Sequence, residues 1–133
     1  MKWSIEFATG IDRIDDQHRM LFSFSEDFKA ALDEGAGERT YGTLLDSLAV
    51  YARAHFGFEE GCMERFRCPI AKQNMQAHEV FLEALTGFKE RYALRGFNRM
   101  EAIRLVAFID SWLAGHICSI DVQIKPYVTP IGS

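Results

Sequence analysis

The sequence predicts an all-α fold, an antiparallel up-down-up-down four-helix bundle, and three observations predict it. Four long segments carry apolar residues at helical spacing. Glycine or proline punctuates the boundaries at Gly35-Ala36-Gly37, Cys68-Pro69 and Arg95-Gly96. The connections between segments are short, which makes successive helices antiparallel neighbours.

The first helix is expected over about 12–34. Asp12, Asp15 and Asp16 stand at its start, where a helix dipole favours negative charge, and Ile14, Leu21, Phe22, Phe28 and Leu32 form its apolar stripe. The second, about 40–66, repeats the pattern with Leu44, Leu48, Ala52, Met63 and Phe66. The third, about 70–92, aligns Ala77, Phe81, Leu85, Phe88 and Tyr92, with Lys89 and Arg91 near the negative end of its dipole. The fourth, about 99–124, carries Val106, Ile109, Leu113 and Ile120 before Pro126 stops it. The 133 residues fit one domain spanning 1–133, and a composition 48% hydrophobic is enough to build a core without disulfides.

Composition also excludes functions. With 15 basic and 19 acidic residues the net charge is -4, so no basic field holds nucleic acid. No run approaches the roughly 20 apolar residues of a membrane span, and Met1 to Phe7 lacks the apolar core of a signal peptide. Cys62, Cys68 and Cys118 lack the spacing of a disulfide framework and fit reduced thiols, which points to the cytoplasm.

Each apolar stripe is interrupted by one histidine where periodicity predicts burial: His18, His55, His78 and His116. A lone inward histidine usually just bonds a neighbouring carbonyl. Four of them, one per helix, point to a common site. Glu59 follows His55 by four residues and shares its face, and a buried carboxylate must be paired or bound to a cation. Asp121 is five residues after His116, which turns an ideal helix about 140° beyond a full circle, so a widened π-type turn is expected there. Nitrogen and carboxylate donors suit iron, manganese or zinc, and a carboxylate has two oxygens with which to bridge two ions. The Glu-x-x-His pattern of carboxylate di-iron bundles is absent, and His78-Glu79-Val80-Phe81-Leu82 lacks the second histidine of a zinc protease.

These residues resemble the hemerythrin family, the bacteriohemerythrins in particular. The matching motifs are Ile14-Asp15-Asp16-Gln17-His18, His55-Phe56-x-x-Glu59-Glu60-x-x-Met63, His78, and His116-Ile117-x-x-x-Asp121. The resemblance implies a non-haem di-iron centre that binds dioxygen. Two irons with an oxo or hydroxo bridge would be spanned by Glu59 and Asp121, with His18 and His55 on one iron and His78 and His116 on the other. Leu21, Phe56 and Ile117 would line the dioxygen pocket. The resemblance also implies a fifth histidine four residues after His78, where this chain has Leu82. Solvent is expected to take that place ahead of Asn74, Met75 or Cys62, none of which has the reach and basicity of an imidazole. An altered coordination sphere of this kind favours auto-oxidation, peroxide chemistry or redox sensing.

The expected function is oxygen storage, delivery or scavenging. An oxygen- or redox-sensing module acting on a signalling partner or fused output domain, and a di-iron peroxidase or oxidase, are the competing readings. Glu60 and the cluster of Arg91, Arg95, Arg99 and Arg104 read as solvated surface, Cys62 as a small buried hydrophobe, and Trp3 and Trp112 as packing residues.

Overall fold

The computed structural model describes residues 8–119 together with Ile5, Gln123 and Pro126, and the side chains of residues 117–119 fall outside that description. Four helices follow one another: α1 (Asp12–Asp33), α2 (Gly37–Arg65), α3 (Ala71–Arg95) and α4 (Arg99–Ser119). The expected end of the fourth helix near Ile124, the widened turn before Asp121, and the residues Trp3 and Asp121 lie outside the described residues. So do the side chains of Ile117 and Cys118.

Contacts between neighbours establish the antiparallel order. Phe28 packs on Tyr41 while His18 lies beside His55, so α1 and α2 run in opposite senses. Tyr41 meets Tyr92 and Phe56 meets Phe81, which reverses α3 against α2. Phe88 with Phe108 and His78 with His116 reverse α4 against α3. The bundle closes through Ser25 Oγ, which donates to Asp110 Oδ1 at 2.6 Å, and Arg99, whose guanidinium donates to the Leu32 carbonyl at the end of α1 at 2.9 Å.

The helices start and stop for local reasons. After α1 the Ala36 N–H bonds the Ala31 carbonyl and the Gly35 N–H bonds that of Leu32, with Gly35 at φ +80°, a left-handed cap that suits glycine. This turn delivers the chain straight into α2, which therefore begins at Gly37 and not near Thr40. A Cβ on Gly37 would stand 2.4 Å from Leu32 Cδ2, so the missing side chain lets α2 begin against α1. Helix α3 runs on to Arg95, beyond the expected Tyr92, because Ala93, Leu94 and Arg95 all favour a helix and the first breaker is Gly96 at φ +74°.

The core is a continuous apolar column. It includes Leu21 and Phe22 from α1, Leu45, Leu48 and Ala52 from α2, Phe81 and Leu85 from α3, and Leu105, Ile109 and Leu113 from α4. Its stripes follow the predicted spacing, and burying each such large side chain contributes about 1.5–3 kcal/mol. Asp15 stands in the first turn of α1, as expected, and does more there. It is buried, and its Oδ1 accepts from the Thr9 N–H at 2.7 Å and the Thr9 hydroxyl at 2.9 Å, tying the entering chain to α1. The basic residues near the third loop are solvated, as expected, with Arg91 and Arg104 paired to Glu101.

Candidate metal centre

Towards one end of the column, where α2 ends and α3 begins, the apolar layers give way to a polar one. His18, His55, Glu59, His78 and His116 are all buried there, and Glu59 is 0% exposed. Each helix contributes its one histidine, as predicted, and all four Nε2 atoms converge on the Glu59 carboxylate. Oε2 lies 3.1 Å from His18 and 3.4 Å from His55. Oε1 lies 3.2 Å from His78 and 3.7 Å from His116. The carboxylate thus divides the histidines into the two predicted pairs, one per oxygen. In each group of three, His18-His55-Glu59 and Glu59-His78-His116, the donor atoms lie within 4.8 Å of one another, close enough to hold one cation per group.

Burial pushes the Glu59 carboxyl up, but hydrogen bonds from His116, His18, His55 and His78 outweigh it and hold the group well below the ordinary carboxylate range. Glu59 is therefore an anion in the core, the state a cation requires. His78 Nε2 also stands 3.1 Å from His116 Nε2, two buried nitrogen atoms facing each other.

The outer ring nitrogens of two histidines are also committed. Glu60 Oε2 lies 2.8 Å from His78 Nδ1, and because a carboxylate only accepts, Nδ1 carries a proton, so that on binding a metal the neutral ring would offer its Nε2 lone pair inward. Gln17 Oε1 lies 2.6 Å from His55 Nδ1 and fixes that ring the same way. Glu60 is thus a half-buried orienting group and not the solvated residue its neighbourhood in the chain suggested. Phe56 stacks on His78 with centroids 3.8 Å apart, and Trp112, which reads from sequence as a packing residue, stacks on His116 at 4.3 Å. Leu21 is buried in the same column.

The remaining sequence candidates separate. Leu82 is half-buried and lines a groove between α2 and α3 with Ala49, Arg53, Thr86 and Lys89, and no histidine lines that groove. The buried stripe of α3 steps instead from Asn74 to His78 to Phe81, so Phe81 takes the inward place beyond His78. Met75 is 48% exposed. Cys62 is half-buried against Met63 and Cys68, and burial, helped by the Glu59 charge, pushes its thiol up, which suits a protonated apolar filler. Asn74 is buried completely.

A helical bundle with four imidazoles gathered on one buried carboxylate belongs to the class of proteins whose core can hold cations. A family model described as the hemerythrin HHE cation-binding domain matches residues 9–128, and the chain belongs to the hemerythrin family. It is 28% identical over 115 residues to a bacteriohemerythrin of Stenotrophomonas maltophilia, covering 86% of this chain and 72% of that one. It is 30% identical over 129 residues to a hemerythrin of Siphonosoma cumanense, covering 92% and 89%. A bacteriohemerythrin of Clostridium acetobutylicum is 25% identical over 123 residues, covering 90% and 94%. Among the described residues no helix is long and apolar enough to cross a membrane.

Proposed function

We propose that this chain, a single hemerythrin-like domain over residues 1–133, acts in the cytoplasm and binds dioxygen at a non-haem di-iron centre, for storage, delivery or scavenging. His18 and His55 would hold one iron and His78 and His116 the other, with Glu59 shared between them and Asp121 as the second carboxylate. The observation that carries this reading is the division of four Nε2 atoms two by two over the oxygens of one buried anion. A single ion would leave one pair of imidazoles without a role. The donor set, neutral nitrogens with a carboxylate and no thiolate, suits iron.

When bound, the irons supply the electrons and the open coordination position that dioxygen requires. The chain's own residues prepare the place. Gln17 and Glu60 hold the rings of His55 and His78 in the tautomer that directs Nε2 inward. Leu21 and Phe56 are buried apolar side chains that would restrict water and protons near the irons, and Ile117 would join them in lining the dioxygen pocket. The test is iron content per chain combined with an anaerobic dioxygen titration followed by visible absorption. Two irons and a new charge-transfer band are expected. Loading below two irons, or a spectrum that oxygen leaves unchanged, refutes the reading.

Glu60→Gln gives a graded outcome. The amide still reaches His78 Nδ1 but without the charge that raises ligand basicity, so the protein should still load two irons at saturation with an affinity about 10–100-fold lower. Competition with a chelator measures it. Unchanged affinity would remove Glu60 from any orienting role.

A further inference from the structure

The helices are antiparallel in a fixed register, so one turn from each site residue leads to a common neighbouring layer. One turn before His18 is Ile14, one turn after Glu59 is Met63, and one turn before His78 is Asn74. All three are 0% exposed. The layer on the opposite side of the histidines, holding Phe22, Ala52, Phe81 and Leu113, is apolar throughout. Among the described residues of this layer, Asn74 is thus the polar side chain beside the apolar Ile14 and Met63, one turn from the cluster. Among the described residues neither its Oδ1 nor its Nδ2 has a hydrogen-bond partner.

A primary amide enclosed this completely is costly unless something takes up its polar atoms. Ile14 and Met63 offer no hydrogen-bonding group worth the name, and the neighbouring backbone is committed within helices, the Asn74 N–H itself to the Ile70 carbonyl. Side chains on a helix lean towards its N-terminus, so the His78 ring leans back over the turn that Asn74 occupies. Among the described residues, what the register places beside the amide is the group of Glu59, His78 and His116, which could hold a metal ion.

We infer that Asn74, through its side-chain carbonyl oxygen, is a donor to the metal ion held by His78 and His116. The inference rests on the two-ion reading above and deepens it: the second ion has a protein oxygen where solvent was expected from the sequence. Leu82 leaves no gap in the site, because it lies in the outer groove between α2 and α3. An amide oxygen is a neutral and weaker donor than an imidazole, so this ion is the more exchangeable of the two.

The probe is Co²⁺ added anaerobically to the metal-free full chain. Binding is followed by equilibrium dialysis and visible absorption, for the wild type, Asn74→Val and Asn74→His. The expected result is two Co²⁺ in the wild type. In Asn74→Val one ion should bind as before, and the other about tenfold or more weakly with a shifted absorption band. In Asn74→His that same ion should bind about tenfold or more tightly. Melting in the presence of chelator supplies an independent readout. Metal-free Asn74→Val should melt no lower than metal-free wild type, because it removes an amide without a partner. Affinities equal within about twofold and superimposable spectra across the three chains overturn the inference, as does a metal-free Asn74→Val that melts well below wild type. Should Asn74→Val not fold, Asn74→His decides alone by the same criterion. A wild type that binds a single Co²⁺ refutes the two-ion reading instead, and the assignment of Asn74 then stands or falls on whether Asn74→Val weakens that ion. A wild type that binds none refutes both.

Discussion

Glu59→Gln is expected to leave the chain unable to hold either ion, the largest loss any single substitution in the site produces. The carboxylate faces all four Nε2 atoms at 3.1 to 3.7 Å, two on each oxygen. Glutamine keeps the shape, removes the only negative charge among these five residues, and turns an N–H₂ group towards one pair of imidazoles. Leaving buried cationic charge without its counter-charge costs about 3–5 kcal/mol, which corresponds to roughly two to four orders of magnitude in affinity. Because both oxygens are used, both ions are lost together. Iron content after anaerobic reconstitution and desalting, with helicity followed by circular dichroism, checks this. The variant should remain helical, since the apolar column does not depend on Glu59. A Glu59→Gln protein that retains two irons would remove Glu59 as the bridge, and the pairing of the histidines would need another basis.

The contrast between Glu59 and Glu60 shows what a sequence can and cannot reveal. Glu59 is legible because it breaks an apolar stripe: four residues after His55 and four before Met63, it sits where periodicity demands an apolar side chain. The four histidines are legible for the same reason, and the helices follow from a period repeated over many residues. Glu60 leaves no such signal. Its bond to His78 depends on how far α3 is rotated against α2, a quantity set by packing across the whole interface. Gln17 and His55 meet by the same kind of cross-helix register.

Asn74 and Leu82 illustrate a second limit. Both stand four residues from His78, in opposite directions, and a period of 3.6 does not distinguish them. The distinction arises because Phe81 fills the inward place beyond His78, so the stripe continues through Leu85 and Leu82 rotates outward to the groove beside Arg53. On the other side the order is reversed: Asn74, four residues before His78, is buried although the apolar Met75 stands three before it. Met75, adjacent in sequence, is turned about 100° away and is exposed. The end of α2 is legible from Cys68-Pro69, but its cap is not: just past Arg65, Arg67 takes φ +53° where glycine is usual, the Cys68 N–H bonds the Met63 carbonyl and the Arg67 N–H that of Glu64.

Phe81→Ala tests the claim that the apolar column, and not the metal, holds the bundle together. Phe81 is buried at the junction of three helices. It packs edge-on against Phe56 at 5.5 Å and face-on against Phe108 at 5.5 Å, and its ring lies 4.6 Å from Trp112. Truncation removes the ring and leaves a cavity that rigid helices cannot fully close, which costs about 3–5 kcal/mol. For a domain of this size that loss corresponds to a fall in melting temperature of roughly 10–20 °C. Thermal and urea denaturation of the metal-free chain would measure it. Val80→Ala, one residue away but 57% exposed, should change stability by less than about 0.5 kcal/mol. Two of these three rings, Phe56 and Trp112, are the ones stacked on His78 and His116. Their loosening should therefore appear as weaker metal binding on the His78 side, in addition to the loss of stability without metal. If the metal-free Phe81→Ala protein melts within a few degrees of wild type, the column is not the principal source of stability, and the ions would have to supply what the apolar layers do not.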